Sequence, residues 1–297
     1  MKTEAAGLSF VIPAYNEERS IVDTLTRVRT ALQGLDIPSE IILVNDGSRD
    51  GTREQAAMVE GVTVISHPIN IGYGNAIKTG VRNARYAWVG IVDADGSYPI
   101  EEIPRLVDEM HKGFDLVVGV RENVREIDSF VKNIFRTIYK KLVKFLNDSR
   151  IEDANSGFRI MRREALLEIL PFLCGTFSFT TSMTIFMTGR NRFVRYVPTR
   201  YHKREGKSKV KHLRDSFRTM QYILQGVLYF NPVKFFLLLA LATLLLVGLP
   251  ALLLALLKQD GFLLACLAAG STVALIAALA AHGEVVRLHG TGRGLDG

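Results

Sequence analysis

The sequence predicts an α/β fold with a mostly parallel sheet over residues 1–212, followed by a membrane-embedded pair of helices within residues 232–286. Three observations carry this expectation. Short apolar runs alternate with helix-patterned segments from residue 8 to residue 120, the order that produces parallel strands covered by helices. Two stretches, 235–257 and 261–281, contain no charged residue, and each is long enough to cross a hydrocarbon core of roughly 30 Å. Hydrophobic residues make up 48% of the 297 residues, and the excess is concentrated at the C-terminal end.

Strands are expected at residues 8–12, 40–44, 62–66, 88–92 and 115–119, with helices at 17–33, 51–58, 73–84 and 100–112. Sheets of this kind bind ligands beyond the carboxyl ends of their strands. Three polar clusters fall there: Pro13-Ala14-Tyr15-Asn16-Glu17, Asn45-Asp46-Gly47-Ser48 and Asp93-Ala94-Asp95. The last has two readings. It is either an Asp-Gly turn or a pair of strand-end carboxylates sharing a divalent cation whose shell is completed by phosphate oxygens. Likewise, residues 46–51 read as a turn and helix cap, while Asn70-Ile71-Gly72-Tyr73-Gly74-Asn75 could cradle phosphate at a helix start.

Further along, residues 127–146 carry an apolar stripe (Ile127, Phe130, Val131, Ile134, Phe135, Ile138) bordered by Lys132, Arg136, Lys140 and Lys141. The segment is either an ordinary amphipathic helix or one lying in the membrane interface. A juxtamembrane helix is expected over 213–231. Lys and Arg residues crowd before residue 235, while the loop between the apolar stretches, Lys258-Gln259-Asp260, has one Lys. The positive-inside tendency then puts the N-terminal domain and the tail, 287–297, in the cytoplasm. No function is assigned to residues 290–297.

The net charge of +7 sits mostly near the membrane-proximal segment and accompanies no nucleic-acid motif, so anionic headgroups explain it better than nucleic acid. Cys174 and Cys266 are too few and too far apart for a disulfide framework. Met1-Lys2-Thr3-Glu4 leads into the first strand without a signal-peptide pattern.

Taken together, these segments resemble glycosyltransferase family 2, with its Rossmann-like GT-A fold, on the branch of dolichyl-phosphate mannose synthase and bacterial polyprenyl-phosphate glycosyltransferases. The resemblance covers roughly residues 8–210. It implies that Pro13, Tyr15 and Glu17 contact base and ribose, that Val44 and Asp46 hold the base, and that Gly72 lies by the donor. Asp93, Ala94 and Asp95 correspond to the family's metal-binding triplet, with Ser97 as a further ligand to Mg2+ or Mn2+. Arg121 matches an arginine placed near donor or acceptor phosphate. The segment from Asp153 to Arg159 matches the acceptor-side motif, implying Ser156 and Arg159 at the acceptor phosphate and Asp153 as base or orienting group. Arg204 and Lys209 match a loop that closes on the diphosphate.

The implied reaction is inverting transfer of a hexose from a GDP-mannose or UDP-glucose type donor to a polyprenyl phosphate at the cytoplasmic membrane face. Asp95, Asp153 and Arg121 are the expected catalytic residues, and residues near Phe179 and Thr180 are candidates for sugar choice. A processive polysaccharide synthase is the alternative. Its usual tryptophan motif is missing, since the one tryptophan, Trp88, precedes the acidic triplet. A nucleotidyltransferase would need a Gly-rich N-terminal loop, and a nucleotide-binding scaffold would not need the acidic triplet. Homo-oligomerisation in the membrane is left open.

Overall fold

Strand β1 (Ala5–Ala14) is the spine of a seven-stranded sheet ordered β3-β2-β1-β4-β6-β5-β7. The other strands are β2 (Ser39–Asn45), β3 (Val62–Ser66), β4 (Tyr86–Ile91), β5 (Leu116–Arg121), β6 (Arg159–Arg162) and β7 (Val194–Thr199). The computed structural model describes residues 5–123 and 151–202 continuously, with scattered positions between 221 and 285. Two compact units divide the chain, Met1–Tyr222 and Ile223–Gly297.

Helices α1 (Ile21–Gln33), α2 (Thr52–Ala57), α3 (Tyr73–Asn83) and α4 (Ile103–His111) follow the first four strands, and α5 (Arg163–Ile169) and α6 (Phe179–Gly189) follow β6. In α1, Ile21, Leu25, Val28 and Leu32 recur at helical spacing and are all buried. They join Leu8, Phe10, Ile12 and Leu43 of the sheet in one apolar core. Burying this stripe is what holds the helix on the sheet.

The expected alternation is present, with two departures. Helix α1 begins four residues later than residue 17, because Glu17–Ser20 forms a turn in which the Ser20 and Ile21 amides both donate to the Glu17 carbonyl. The sheet is mixed rather than parallel throughout: β6 runs antiparallel to both β4 and β5, and separates these sequence neighbours. All other strand pairs are parallel. Reversal of β6 carries its N-terminal end, and the loop before it, to the edge where β1, β2, β4 and β5 end.

The amphipathic segment 127–146 lies outside the described residues, and most of the juxtamembrane segment and of both uncharged stretches does too. Among the described residues, no helix is long and apolar enough to cross a membrane. In the second unit the described positions are helical, and Leu224, Leu245, Leu267 and Leu275 are exposed.

Candidate functional site

The carboxyl-terminal edge of the sheet is stitched together by loop hydrogen bonds. After β1, the Asn16 amide donates to Ser48 Oγ (3.0 Å) and the Glu17 amide to Thr52 Oγ1 (2.8 Å). In return, the Arg49 amide donates to Asn16 Oδ1 (2.8 Å). Asn16 adopts φ 52°, a left-handed conformation that asparagine tolerates better than most residues. Ser20 Oγ donates to the Ala94 carbonyl at 2.8 Å, which ties the start of α1 to the acidic triplet. Pro13 and Val44 are buried in their strands, while Tyr15 and Glu17 are partly exposed beyond them. The first, second and fourth strand ends therefore meet at one place, as the sequence anticipates.

Asp93 and Asp95 follow β4, and both are partly exposed. Asp93 Oδ1 accepts a hydrogen bond from the Tyr73 hydroxyl at 2.7 Å. On its other side, a Cβ added to Gly157 would come within 2.6 Å of both Asp93 oxygens, so only glycine leaves room for the carboxylate there. Asp95 Oδ1 accepts from the Ser97 amide (3.1 Å) and, through a very short contact, from the Ser97 hydroxyl.

Asp93 and Asp95 supply hard oxygen donors of the kind Mg2+ and Mn2+ prefer. Among the described residues, no group of three or more His, Cys, Asp or Glu side chains gathers. Cations of this kind usually complete their shell with diphosphate oxygens and water. Ser97, the further ligand expected, is fully buried, and its hydroxyl donates to Asp95.

Arg121 ends β5, and Asp153 lies in the loop before β6. They form a two-point fork, Nε to Oδ2 at 2.7 Å and Nη2 to Oδ1 at 2.8 Å. Asp153 also accepts from the Asn155 amide (3.1 Å), and the Arg121 guanidinium lies 5.4 Å from the centre of the Tyr201 ring. Burial alone would raise the Asp153 carboxyl, but the Arg121 hydrogen bonds and charge outweigh it and hold the group below the usual aspartate range. Burial also works against the Arg121 charge, which the Asp153 carboxylate sustains. Both Asp153 oxygens are thus engaged by Arg121, an arrangement that clamps the guanidinium in place.

Several expected contacts are redirected. Asp46 is 2% exposed and accepts from His67 Nδ1 (2.8 Å), the Ile71 amide (3.0 Å) and the Gly72 amide (2.8 Å). It therefore secures the loop before α3. The same bonds, with the Asn75 amide donating to the Gly175 carbonyl at 2.9 Å, occupy three of the six backbone donors that a phosphate cradle at residues 70–75 could use. Gly72 and Gly74 serve close packing instead, since a Cβ on Gly74 would meet the Cys174 carbonyl at 2.2 Å.

Ser156 and Arg159, expected at the acceptor phosphate, are both fully buried. Ser156 Oγ donates to the Gly119 carbonyl at 2.6 Å. Arg159 donates to the carbonyls of Ser156, Ala154 and Thr180 and to Thr184 Oγ1. Both residues shape the Asp153–Gly157 loop from beneath and cannot reach a ligand at the surface. Phe179 and Thr180 are buried as well, whereas Phe177 is exposed and stacks on Tyr73. Arg204 and Lys209 lie outside the described residues.

Sequence reasoning missed the tyrosines. Besides Tyr73, Tyr98 accepts from the Gly157 amide at 2.7 Å, and the Tyr201 ring lies beside the Arg121 guanidinium. No local pattern marks them, because their partners are distant in sequence.

Fold and site define a class: a GT-A-like mixed α/β sheet whose acidic strand ends gather on one edge. The model of the glycosyl transferase family 2 matches residues 9–170, and the chain belongs to that family. An undecaprenyl-phosphate 4-deoxy-4-formamido-L-arabinose transferase from Aeromonas hydrophila is 35% identical over 193 residues, covering 60% of this chain and 59% of that protein. A low-salt glycan biosynthesis hexosyltransferase from Haloferax volcanii is 29% identical over 225 residues, covering 74% of this chain and 54% of that protein. This chain thus spans between about half and six-tenths of the length of these two relatives. Among solved structures, glucosyl-3-phosphoglycerate synthase from Mycobacterium tuberculosis with manganese, UDP-glucose and phosphoglyceric acid has a TM-score of 0.62. Its identity is 19%, over 75% of this chain and 80% of that one, a likeness of fold.

Proposed function

We propose that this protein is an inverting hexosyltransferase that moves a hexose from a nucleoside-diphosphate sugar, of GDP-mannose or UDP-glucose type, to the phosphate of a polyprenyl lipid. The carrying observation is that Asp93 and Asp95 share one sheet edge with the Arg121–Asp153 fork. This pairs a cation-binding corner with an anion-binding one. The relatives' names, which include an undecaprenyl-phosphate sugar transferase, support the choice of acceptor.

In the reaction, the bond from the anomeric carbon to the donor's β-phosphate breaks as a new bond to the acceptor phosphate forms on the opposite face. The acceptor phosphate is already ionised near neutral pH, so no general base is required. Tyr15, Glu17 and the backbone at Val44 would border the nucleotide. Asp93 and Asp95 would hold a divalent cation, which supplies electrostatic stabilisation of the departing diphosphate. Arg121, kept rigid by Asp153, would orient an incoming phosphate. The motif alone assigns Arg204 and Lys209 to the diphosphate.

The membrane assignment, with residues 232–286 as two spans and the catalytic unit on the cytoplasmic side, rests on the uncharged stretches and the basic residues before them. Exposed Leu245, Leu267 and Leu275 agree with a lipid-facing surface. The test uses purified protein in lipid with polyprenyl phosphate and a panel of nucleotide sugars, reading released nucleotide and lipid-linked sugar. Metal-dependent transfer that Asp95→Ala abolishes is the expected result. Full transfer by that variant after metal removal would overturn the proposal.

A further inference from the structure

We infer that Tyr73 is a positioning residue for Asp93: its hydroxyl engages one carboxylate oxygen, so that a cation is bound through the other and small octahedral ions are favoured. This rests on the metal-dependent reading above and adds a determinant that the acidic triplet does not contain.

Asp93 is boxed in on two sides. The Tyr73 hydroxyl donates to Oδ1 at 2.7 Å, and the Gly157 backbone lies flush against the carboxylate, where a Cβ would fall 2.6 Å from both oxygens. The Gly157 amide is itself held by Tyr98, at 2.7 Å, so that wall does not yield. Tyr73 is fixed in turn. It opens α3, whose first turn packs on the Cys174 and Gly175 carbonyls, and its ring stacks on Phe177 with centroids 5.8 Å apart and planes 17° from parallel.

A carboxylate with one oxygen engaged in this way is poorly arranged to chelate a cation through both. Ca2+ accepts one- or two-oxygen carboxylates in large, flexible shells, whereas Mg2+ demands near-octahedral geometry and Mn2+ favours it. Tyr73 thus disfavours the calcium-like mode, and the exposed Phe177, stacked on its ring, helps to hold it in place.

The experiment uses the full chain in lipid nanodiscs with saturating UDP or GDP, whichever the wild type binds. Free Mn2+ is followed by electron paramagnetic resonance, and Ca2+ is added as competitor. Tyr73→Phe should weaken Mn2+ binding by about 10- to 100-fold, the usual effect of removing a partner of a metal ligand. It should also narrow the Mn2+-over-Ca2+ preference while leaving the melting temperature near wild type. Phe177→Ala, at an exposed position, should move both quantities in the same direction by a smaller factor, and it stands in if Tyr73→Phe is poorly folded. Unchanged Mn2+ affinity and unchanged ion preference in a folded variant would overturn the inference while leaving the proposed function intact. A wild type that binds no Mn2+ with either nucleotide would overturn both.

Discussion

Replacing Asp153 with alanine tests the clamp reading most directly. The two side chains of the fork are only 14% and 11% exposed, and they meet at two points, 2.7 and 2.8 Å. Removing the carboxylate strands a buried guanidinium, which typically costs about 3–5 kcal/mol. In a domain of roughly 150–250 residues each kcal/mol lowers Tm by about 2–4 °C, so Asp153→Ala should lower it by around 10 °C. Trp88 in β4, the chain's single tryptophan, is a convenient reporter, because β4 pairs with β6 and the 153–158 loop leads into β6. Replacing both partners, Arg121→Met with Asp153→Leu, should recover much of the loss, since a well-packed apolar pair can match a buried ion pair. The pH dependence has a definite sign. A carboxyl whose folded pKa is depressed contributes stability that is fully present above its unfolded value, about 3.9, and is lost as pH falls through the lower folded value. The stability gap between wild type and Asp153→Asn should therefore be constant from neutral pH to about 5 and close below about 4. A Tm shift under about 2 °C for Asp153→Ala would refute the clamp. A gap that instead closes near pH 6 would mean that the carboxyl titrates high, as a general base would.

Other expectations follow from the same edge of the sheet. Gly157→Ala should weaken Mn2+ binding by about tenfold or more, measured by calorimetry with nucleoside diphosphate present, because its Cβ collides with the Asp93 carboxylate. Arg159→Met should lower stability by about 3 kcal/mol or more in thermal unfolding, since the Ala154, Ser156 and Thr180 carbonyls lose their donor. If Arg159 instead binds acceptor phosphate, the variant would unfold like wild type and lose only acceptor affinity. Stripping divalent ions with EDTA should abolish transfer, and Mn2+ or Mg2+ should restore it; transfer that persists without metal would count against the cation corner.

Much of the scaffold is legible locally. Apolar runs such as the one around Phe10 and Ile12 announce buried parallel strands, and Ile21, Leu25, Val28 and Leu32 announce the helix that covers them. Strand β6 escaped notice because four residues, two of them arginines, are too few to show a period. The site divides in the same way. Asp93 and Asp95 stand at a recognisable strand end, whereas the partners that redirect Asp46, Ser156 and Arg159 inward sit on other segments.

By itself, the sequence determined five of the seven strands, which edge collects the polar loops and where the acidic triplet falls, because periodicity and turn chemistry act over a few residues. Tertiary structure alone decided which of those polar groups stay exposed at that edge. Arg121 and Asp153 are 32 residues apart, and Tyr73 and Asp93 are 20 apart. Whether such groups meet depends on strand order and on the reversal of β6, which no local pattern encodes. Burial then settles the rest: a polar group enclosed by the fold must bond to its neighbours, and one left at the edge is available for chemistry.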